Sequence, residues 1–421
     1  MKRKLRTIGN FVFIISLFIL LFSYAMFQGG FVSWFLFFSF QPIFLYHIGL
    51  LLYPMKGWKV TRTVSRYIAQ AGSEVTITVN IKRSIPFPLY YCICEDVFSD
   101  TLELIDNRQN KYQHFDDPEK LKVNRKMKKV IFPSFKRTFS FSYNLKDIPR
   151  GEHFFYGIRI RTGDVFGFVK KDQMYSVSDQ LLVYPNERPI ELKEQVSSYE
   201  QGSTSNSFLN LKQTNIAAGI REYMPGDKFS WIDWKQSART NTLMTKEFEQ
   251  EKSTELLLVL DACNHKNMNY LAFEAAVELS FSLVKVFQQR ATPVELITIG
   301  KKNKSFPLQS EITANESVRQ HLTKIQPSGD SEFTSSFSEM LHHLNNKSSL
   351  IIITVHLDHL IIDKVKKWRQ QTPNISIVLI TSSGEITTML HKQIQQLELF
   401  GTIVEVLTEK ELVENPVEVS L

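Results

Sequence analysis

The sequence predicts three consecutive parts: two N-terminal transmembrane helices, an all-β sandwich-like domain, and an α/β domain built on a parallel sheet. Three observations support this prediction. Residues 1–55 contain a long uncharged stretch, residues 56–193 alternate apolar and polar positions in short runs, and strand and helix patterns alternate after Thr254. At 421 residues, the chain has room for two or three domains.

The predicted membrane segment, residues 7–55, contains no Lys, Arg, Asp or Glu. It is roughly twice the ~20 residues that cross a bilayer once. A glycine pair interrupts it, so we predict a hairpin of two helices, Ile8–Phe27 and Phe31–Tyr53. A cleaved signal peptide has one short apolar core and does not fit. His47 lies inside the second helix, where a single histidine is more often incidental than functional.

Basic residues flank both ends of this hairpin, whereas its connecting turn carries no charge. Because cytoplasmic loops carry the excess of Lys and Arg, we predict that both termini are cytoplasmic. Three cysteines cannot form a fully paired disulfide framework, which agrees with a reducing compartment. The flanks also explain the net charge of +7, so no nucleic-acid partner is predicted. The flanking residues are Lys2, Arg3, Lys4, Arg6, Lys56, Lys59, Arg62 and Arg66.

The middle region, residues 56–193, has the pattern of an antiparallel β-sandwich. Runs such as EVTITVNIKR alternate apolar and polar residues, and turn-forming Pro, Gly, Asn and Asp separate them. The basic run NRKMKKVIFPSFKR is predicted to be a solvated hairpin, with contact to anionic lipid headgroups as the alternative. Residues 194–218 are rich in Ser, Asn, Gln and Thr and are predicted to be a polar linker.

Residues 219–421 combine a distinctive segment with an α/β domain. Short apolar runs, among them ELLLVLD and SLIIITV, alternate with helical patterns. Such runs are typical of a Rossmann-like parallel sheet that helices cover on both faces. Ligands of these folds bind at the carboxyl ends of the strands. Asp261 ends the first strand of the domain and marks where we expect a site.

The distinctive segment is REYMPGDKFSWIDWKQSART, which is dense in aromatic and charged residues. It contains no histidine, and the chain has no phosphate-binding loop. We interpret the segment as a structural clasp, in which Arg221 and Arg239 pair with Asp227 or Asp233 and the two tryptophans are buried. Binding of a partner by its exposed charges is compatible with that role.

This segment and the strand after it resemble the signature of the bacterial domain of unknown function 58 family. The upstream PRGEHFFYGIRIRTGDVFGF also resembles the family pattern, with Val165 in place of a proline. The resemblance covers most of the chain. It implies a membrane-anchored protein with a von Willebrand factor A-like domain, commonly associated with MoxR-type AAA+ ATPases and transglutaminase-like membrane proteins. The matching signature residues are Arg221, Glu222, Tyr223, Pro225, Gly226, Asp227, Asp233, Trp234, Ser237, Ala238 and Arg239.

The resemblance also implies the position of a metal site. The first strand of an A-type domain ends Asp-x-Ser-x-Ser, whose oxygen ligands suit a hard cation. Here Cys263 and His265 replace the serines, and both favour softer metals than Mg²⁺. A zinc site formed with His356 would have no standard spacing. We therefore predict a degenerate site without a cofactor, with Mg²⁺ as the alternative. Its positions are Asp261, Cys263, His265, Thr334 and Asp358.

These observations predict a membrane-anchored cytoplasmic scaffold or adaptor without catalytic activity. The partner that the resemblance implies is a MoxR-type AAA+ ATPase, with a transglutaminase-like membrane protein and the lipid bilayer as further partners. Two alternatives stay open. One is a membrane-associated hydrolase that uses Asp227, Asp233 and Ser237 for acid–base chemistry. The other is an extracytoplasmic sensor, which requires the inverted topology.

Overall fold

The chain forms two compact units. Unit 1 comprises Met1–Arg108 and Glu119–Asn186, and unit 2 comprises Gln109–Pro118 and Glu187–Leu421. The predicted β domain, 56–193, therefore contributes two segments to unit 2. The computed structural model describes residues 2–193, 217–224, 229–248, 256–266, 268–290, 292–308, 312–329, 333–341, 349–369 and 374–420.

Unit 1 begins with two apolar helices, α1 (Lys2–Gln28) and α2 (Phe31–Leu52). Helix α2 is long and apolar enough to cross a membrane, with a mean hydropathy of 1.7. The apolar part of α1 is the shorter stretch Val12–Gln28. Gly29 joins the helices at a φ of +61°, which glycine adopts without a Cβ clash. Aromatic ring pairs then hold α1 against α2.

His47 of α2 is buried and has two hydrogen-bond partners. Its Nδ1 lies 2.7 Å from the carbonyl oxygen of Ile43, and its Nε2 lies 3.1 Å from Oδ2 of Asp164. Asp164 also accepts three backbone N–H bonds from loop 166–169, at 2.6 to 3.2 Å. The aspartate of the TGDVFG turn therefore fixes its own loop and contacts the helix. His47, expected to be incidental, has a defined structural role.

The rest of unit 1 is mostly β structure, as the alternating pattern predicts. Three short 3-10 helices follow β4 in the chain: Asp100–Glu103, Pro118–Leu121, and Arg108–His114, most of which belongs to unit 2. The strands are β1 (Lys59–Val64), β2 (Ile68–Gln70), β3 (Val75–Lys82), β4 (Tyr91–Phe98), β5 (Met127–Ile131), β6 (Thr138–Leu145), β7 (Gly151–Gly163), β8 (Lys170–Tyr175) and β9 (Asp179–Tyr184).

These strands form two sheets. One has the order β1-β3-β6, and the other has the order β2-β9-β7-β4-β5 with β8 also paired to β7. Alternate residues of each sheet enter one hydrophobic core, for example Ile77 and Val79 from the first sheet and Cys92 and Ile160 from the second. The alternation within each strand is thus explained by one buried face and one exposed face.

Unit 2 alternates strands and helices. Two more 3-10 helices span Phe229–Trp231 and Ser383–Glu385. The strands are β10 (Ile190–Lys193), β11 (Ala217–Glu222), β12 (Met244–Phe248), β13 (Leu256–Asp261), β14 (Val294–Ile299), β15 (Lys304–Leu308), β16 (Ser349–Thr354), β17 (Ile375–Ile380), β18 (Ile403–Leu407) and β19 (Val417–Ser420). The helices are α3 (Trp234–Thr240), α4 (Tyr270–Gln289), α5 (Ile312–Lys324), α6 (Phe333–Leu341), α7 (His359–Trp368), α8 (Thr388–Leu399) and α9 (Glu409–Val413).

A six-stranded sheet organises unit 2, in the order β15-β14-β13-β16-β17-β18. All neighbouring strands are parallel except β15. Every residue of β13, β16 and β17 is buried, as expected of a sheet covered on both faces. Helices α6, α7 and α8 share a core with one face, whereas α4 packs on the sheet outside that core. The strand order reverses between β13 and β16, where such sheets open a crevice.

A buried ion pair holds Gln109–Pro118 in unit 2. Lys111 Nζ lies 2.6 Å from one carboxylate oxygen of Glu278, and the hydroxyl of Tyr112 donates to the other at 2.7 Å. Both charged side chains are only 2% exposed. Burial and the charge of Glu278 raise the pKa of Tyr112 well above its usual value, so its hydroxyl remains a donor. The polar groups of α4 are therefore satisfied by a segment that precedes it by more than 150 residues.

We expect Lys111→Met to destabilise unit 2 by about 3–5 kcal/mol, because it leaves the carboxylate of Glu278 buried without its cation. Urea denaturation of the full chain in detergent measures this loss. Lys193→Met is the control, since Lys193 pairs with Glu418 on the surface, where both side chains are about half exposed. Equal stability of the two variants would contradict the role given to Lys111.

Candidate functional site

The signature residues form one small element of unit 2. Strands β11 and β12 pair antiparallel, with Glu222 opposite Met244. The 3-10 helix Phe229–Trp231 and helix α3 lie between them in the chain. The last residues of the predicted linker, 194–218, begin β11, and the others lie outside the described residues. Pro225, Gly226 and Asp227 also lie outside them.

Asp233 and Ser237 hold this element together. Asp233 caps α3, with Oδ1 accepting the backbone N–H groups of Lys235 and Gln236, each at 3.1 Å. The hydroxyl of Ser237 donates to the carbonyl of Asp233 at 2.7 Å and accepts the N–H of Met244 at 2.8 Å. These bonds connect α3 to β12. The clasp interpretation therefore has a defined geometry for these two residues.

Three large apolar side chains of the element are exposed, whereas Ile232 is buried. Phe229, Trp234 and Met224 are 75%, 67% and 64% exposed. Trp231 is half-buried, and Tyr223 stacks on Phe229 with 6.1 Å between ring centroids. The expectation that Trp234 is buried is therefore wrong. Among the described residues, no second layer covers the first position of α3.

The charged signature residues occupy the surface. The guanidinium of Arg221 donates to the carbonyl of Glu222 at 3.1 Å. Arg239 is exposed and makes no ion pair with any described residue, so the predicted pairing of Arg239 with Asp233 does not occur. Ala238 is also exposed. The carboxylate of Asp233 accepts backbone N–H groups of α3 and is not paired with Arg239.

The second candidate site lies where β13 and β16 end, at the reversal of strand order. Asp261 Oδ1 accepts the backbone N–H of Cys263 at 3.0 Å. Its Oδ2 accepts from Nε2 of His265 and from the hydroxyl of Thr354, both at 2.8 Å. Asp261 is buried, and the side chain of His265 is 16% exposed. The crevice expected at this point is thus closed by hydrogen bonds among these residues.

The electrostatics of the cluster assign its proton. Burial lowers the pKa of His265, but the hydrogen bond and the charge of Asp261 outweigh this effect and raise that pKa. The ring of His356 lies 4.9 Å from that of His265. Burial and the charge of His265 lower the pKa of His356. The two shifts therefore favour protonation of His265 over that of His356.

These residues do not fit a bound metal. Both oxygens of Asp261 accept bonds from protein donors, whereas Mg²⁺ requires oxygen ligands that face it. Burial and Asp261 raise the pKa of the Cys263 thiol to about 12, and this thiol donates to the carbonyl of Ile299 at 3.8 Å. In the part of the chain that the structure describes, no group of three His, Cys, Asp or Glu is placed to hold a metal ion. Thr334 is buried in α6, and Asp358 caps α7 through the N–H of Ile361 at 2.8 Å.

A cavity of about 340 Å³ opens at the carboxyl ends of β16 and β17. Leu357 and Leu379 form part of its apolar wall, and His356, Glu385 and Gln393 add polar groups. Its volume is near the lower end for small-molecule sites, which is about 300 Å³. His356 contributes to both the cavity and the Asp261 cluster. A small polar molecule or a side chain of a partner has suitable dimensions for this cavity.

Sequence reasoning found Asp261 and His265 but missed Thr354, Glu385 and Gln393. Thr354 ends the apolar strand SLIIIT and is its one polar residue at the carboxyl end. Thr354 lies beside Asp261 because β16 is the neighbour of β13 in the sheet. The order of the strands cannot be deduced from the sequence of one strand. Glu385 and Gln393 lie in a loop and a helix, where polar residues are common.

The geometry defines a class of protein: an apolar N-terminal helical region, a mostly β unit, and an α/β unit that carries the signature element. The chain belongs to the family described as "Protein of unknown function DUF58", whose model matches residues 219–385. It is 38% identical over 288 residues to "Uncharacterized protein YeaD" of Bacillus subtilis (strain 168), which covers 68% of this chain and 67% of that protein.

Solved structures show only partial likenesses. The CARDB domain of the PF1109 protein from Pyrococcus furiosus covers 30% of this chain and 93% of its own, at 7% identity and a TM-score of 0.18. Spo0M, a sporulation control protein from Bacillus subtilis, covers 30% of this chain and 49% of its own, at 14% identity and a TM-score of 0.14. At these scores the likenesses carry no argument about fold or function.

We expect Asp233→Ala to destabilise the signature element by about 1 kcal/mol, because it removes the cap of α3. Asp233→Asn is the matched variant, since asparagine caps helices about as well but has no carboxylate. A structural role predicts that Asn retains the stability that Ala loses, measured by thermal unfolding of the full chain. If Asp233→Asn lowered the melting temperature as much as Asp233→Ala, the carboxylate itself would be required, and helix capping would not explain the role of Asp233.

The raised pKa of His265 predicts a pH-dependent stability. A group whose pKa is higher in the folded chain stabilises fully below its unfolded value, about 6.5. That contribution is lost as pH rises through the folded pKa. The stability difference between the native chain and His265→Gln should therefore be largest below about pH 6.5 and decline above it. Thermal unfolding of both proteins across pH 5 to 9 measures this difference, and a pH-independent difference would contradict the ion pair.

Proposed function

We propose that this protein is a membrane-anchored scaffold that binds other proteins through its signature element and has no catalytic activity of its own. The observation that carries the proposal is the exposure of Phe229, Trp234 and Met224 on one small folded element. Aromatic residues and methionine are enriched at protein interfaces, and tryptophan dominates their energetics. Clustered exposed apolar groups of this kind mark interaction sites in soluble domains.

The membrane anchor in this proposal consists of two spans, α1 and α2, with both termini in the cytoplasm. The apolar stretch of α1 and the long apolar helix α2 support it, as do the basic residues before and after them. Arg62 drops out of the flanking set, because it is buried in an ion pair with Asp96 at 2.7 Å. The remaining flank is still basic at both ends. The scaffold then acts on the cytoplasmic side.

The partner proposed from the family resemblance is a MoxR-type AAA+ ATPase, with a transglutaminase-like membrane protein as a second component. The α/β unit is proposed to be von Willebrand factor A-like. Its parallel sheet and the position of Asp261 at a strand end support that assignment. Partner binding in this unit does not depend on a metal ion, since Asp261 is satisfied by His265 and Thr354.

The hydrogen bonds of Asp233 and Ser237 favour the scaffold over the hydrolase alternative. A nucleophile needs a general base within hydrogen-bond reach. The hydroxyl of Ser237 instead lies between the carbonyl of Asp233 and the N–H of Met244. Asp233 directs its carboxylate at the first turn of α3. Both residues thus serve the fold of the element.

We expect Trp234→Ala to reduce the amount of partner recovered with the protein by tenfold or more, since loss of a central interface tryptophan costs about 2 kcal/mol or more. The measurement is an affinity pull-down of the full chain from detergent-solubilised native membranes, with and without ATP and Mg²⁺. Quantitative mass spectrometry identifies the partner. An AAA+ ATPase recovered in nucleotide-dependent amounts supports the proposal.

The matched control is Phe400→Ala, an aromatic residue of unit 2 that is 45% exposed and lies outside the signature element. It should leave recovery unchanged, and Trp234→Ala should leave the melting temperature unchanged because the side chain is exposed. Equal recovery with native and Trp234→Ala protein would refute binding through this element. Turnover of a substrate by the isolated full chain would refute the absence of catalysis.

A further inference from the structure

Three loops of unit 1 project from the same end of the β4-β5-β7 sheet. In the strand register, Cys92 pairs with Ile131, and Tyr91 pairs with Gly163. The end of β4 that follows loop 83–90, the end of β5 that precedes loop 132–137, and the end of β7 that precedes loop 164–169 therefore coincide. We call these three loops the α2-proximal edge, for the reason that follows.

The C-terminal part of α2 and Tyr53, the residue that follows it, contact this edge. The hydroxyl of Tyr53 donates to the carbonyl of Ile85 at 2.8 Å, and the ring of Tyr53 stacks on Phe87 at 5.1 Å. His47 contacts Asp164 in the third loop. The edge is thus adjacent to the last two turns of the apolar helix. In a protein anchored through α2, the last two turns of α2 lie near the bilayer surface, and these loops lie beside them.

The α2-proximal edge exposes large apolar side chains. Between half and two thirds of each side chain is accessible, although the loops are ordered by backbone pairing between Leu89 and Ser134. Aromatic residues concentrate at the interface between membrane and water, where an apolar ring and a polar environment coexist. The exposed residues are Ile85, Tyr90, Phe132, Phe135, Val165 and Phe166.

Basic side chains lie beside these apolar groups. Lys129, Lys136 and Arg137 are exposed, and none makes an ion pair with a described residue. The next lysine along β5, Lys128, is by contrast paired with Glu95 at 3.2 Å. Unpaired cations next to exposed aromatic rings are the combination that binds anionic headgroups at a bilayer surface.

A buried arginine makes this edge rigid. The guanidinium of Arg83 donates to the carbonyls of Phe87 and Ser134, each at 2.9 Å, and to that of Lys136 at 2.8 Å. Arg83 is 1% exposed. It therefore ties the first loop to the second, through the residues on both sides of Phe135. Loops that are ordered before a ligand binds lose less conformational entropy on binding.

We propose that the α2-proximal edge is a bilayer-binding surface, which places the aromatic residues of its three loops in the interface and Lys136 and Arg137 of loop 132–137 on anionic headgroups. This proposal rests on the membrane anchoring proposed above and extends it. The loops of unit 1 contact the membrane surface directly, in addition to the connection through α2. In this proposal, the basic run NRKMKKVIFPSFKR, predicted to be a solvated hairpin, contacts anionic lipid headgroups.

The test uses nitroxide labels on single cysteines introduced into the full chain, reconstituted in nanodiscs of phosphatidylcholine and phosphatidylglycerol. The positions are Phe135→Cys on the edge, Phe38→Cys within α2, and Tyr156→Cys as the control. Tyr156 is 55% exposed but lies about 23 Å along β7 from Gly163, at ~3.3 Å per residue. The native cysteines are buried, and burial raises the pKa of Cys92 to about 11, so labelling selects the introduced thiol.

Electron paramagnetic resonance compares the accessibility of each label to oxygen, which partitions into lipid, and to a nickel chelate, which remains in water. We expect a several-fold higher oxygen-to-nickel ratio at position 135 than at position 156. A low ratio at 135 with a high ratio at 38 would overturn the bilayer-binding surface and leave the anchor intact. A low ratio at 38 would instead overturn the anchor. Dipolar broadening at 135 without lipid contact would show a second copy of the chain on the edge and overturn the proposal.

A charge-reversal pair tests the headgroup contact. Lys136→Glu should lower the ratio at position 135, because it places a negative charge against anionic lipid. Lys146→Glu is the matched control, since Lys146 is exposed just after the opposite end of β6. The effect of Lys136→Glu should disappear in nanodiscs of phosphatidylcholine alone. A ratio that responds equally to both variants, or to neither, would overturn the assignment of the lysines.

Discussion

Several buried charges in the described part of this chain are satisfied by partners from segments that lie far apart in the sequence. An unpaired ion inside a protein costs several kcal/mol, so the fold is constrained wherever one is buried. Arg83 draws two loops of unit 1 together, Asp164 ties a third loop to His47, and Glu278 recruits Lys111 from a segment 167 residues away. The arrangement of strands around these groups follows from the requirement to satisfy them.

The same constraint explains the chemistry of the strand-end site. A carboxylate at the reversal of strand order is suited to binding a cation, and in this chain the imidazole of His265 lies against it. His265 donates to Asp261, and Thr354 from the neighbouring strand completes the bonds to the same oxygen. Because the hydrogen bond and the charge of Asp261 raise the pKa of His265, the charge of this pair depends on pH. What remains open to a ligand is the cavity beside His356.

Sequence patterns predicted those features that depend on local periodicity. The apolar helical region, the alternating strands of unit 1 and the buried strands of unit 2 each have a period that one segment reveals. The pairing of Lys111 with Glu278, the contact of His47 with Asp164 and the role of Thr354 depend on strand order and loop path, which no single segment encodes. Trp234 was misjudged for a related reason, since its exposure depends on whether a second layer covers α3.

Two exposed apolar surfaces distinguish the two units, and their settings argue for different partners. On the α2-proximal edge, aromatic rings accompany unpaired lysines next to an apolar helix, a combination that suits lipid. On the signature element, Phe229 and Trp234 accompany charges of both signs and a capped helix, a combination that suits a protein surface. Because the two surfaces share no residue, a substitution in one surface leaves the side chains of the other surface unchanged. The two proposed roles, contact with the membrane and recognition of a partner, can therefore be tested separately.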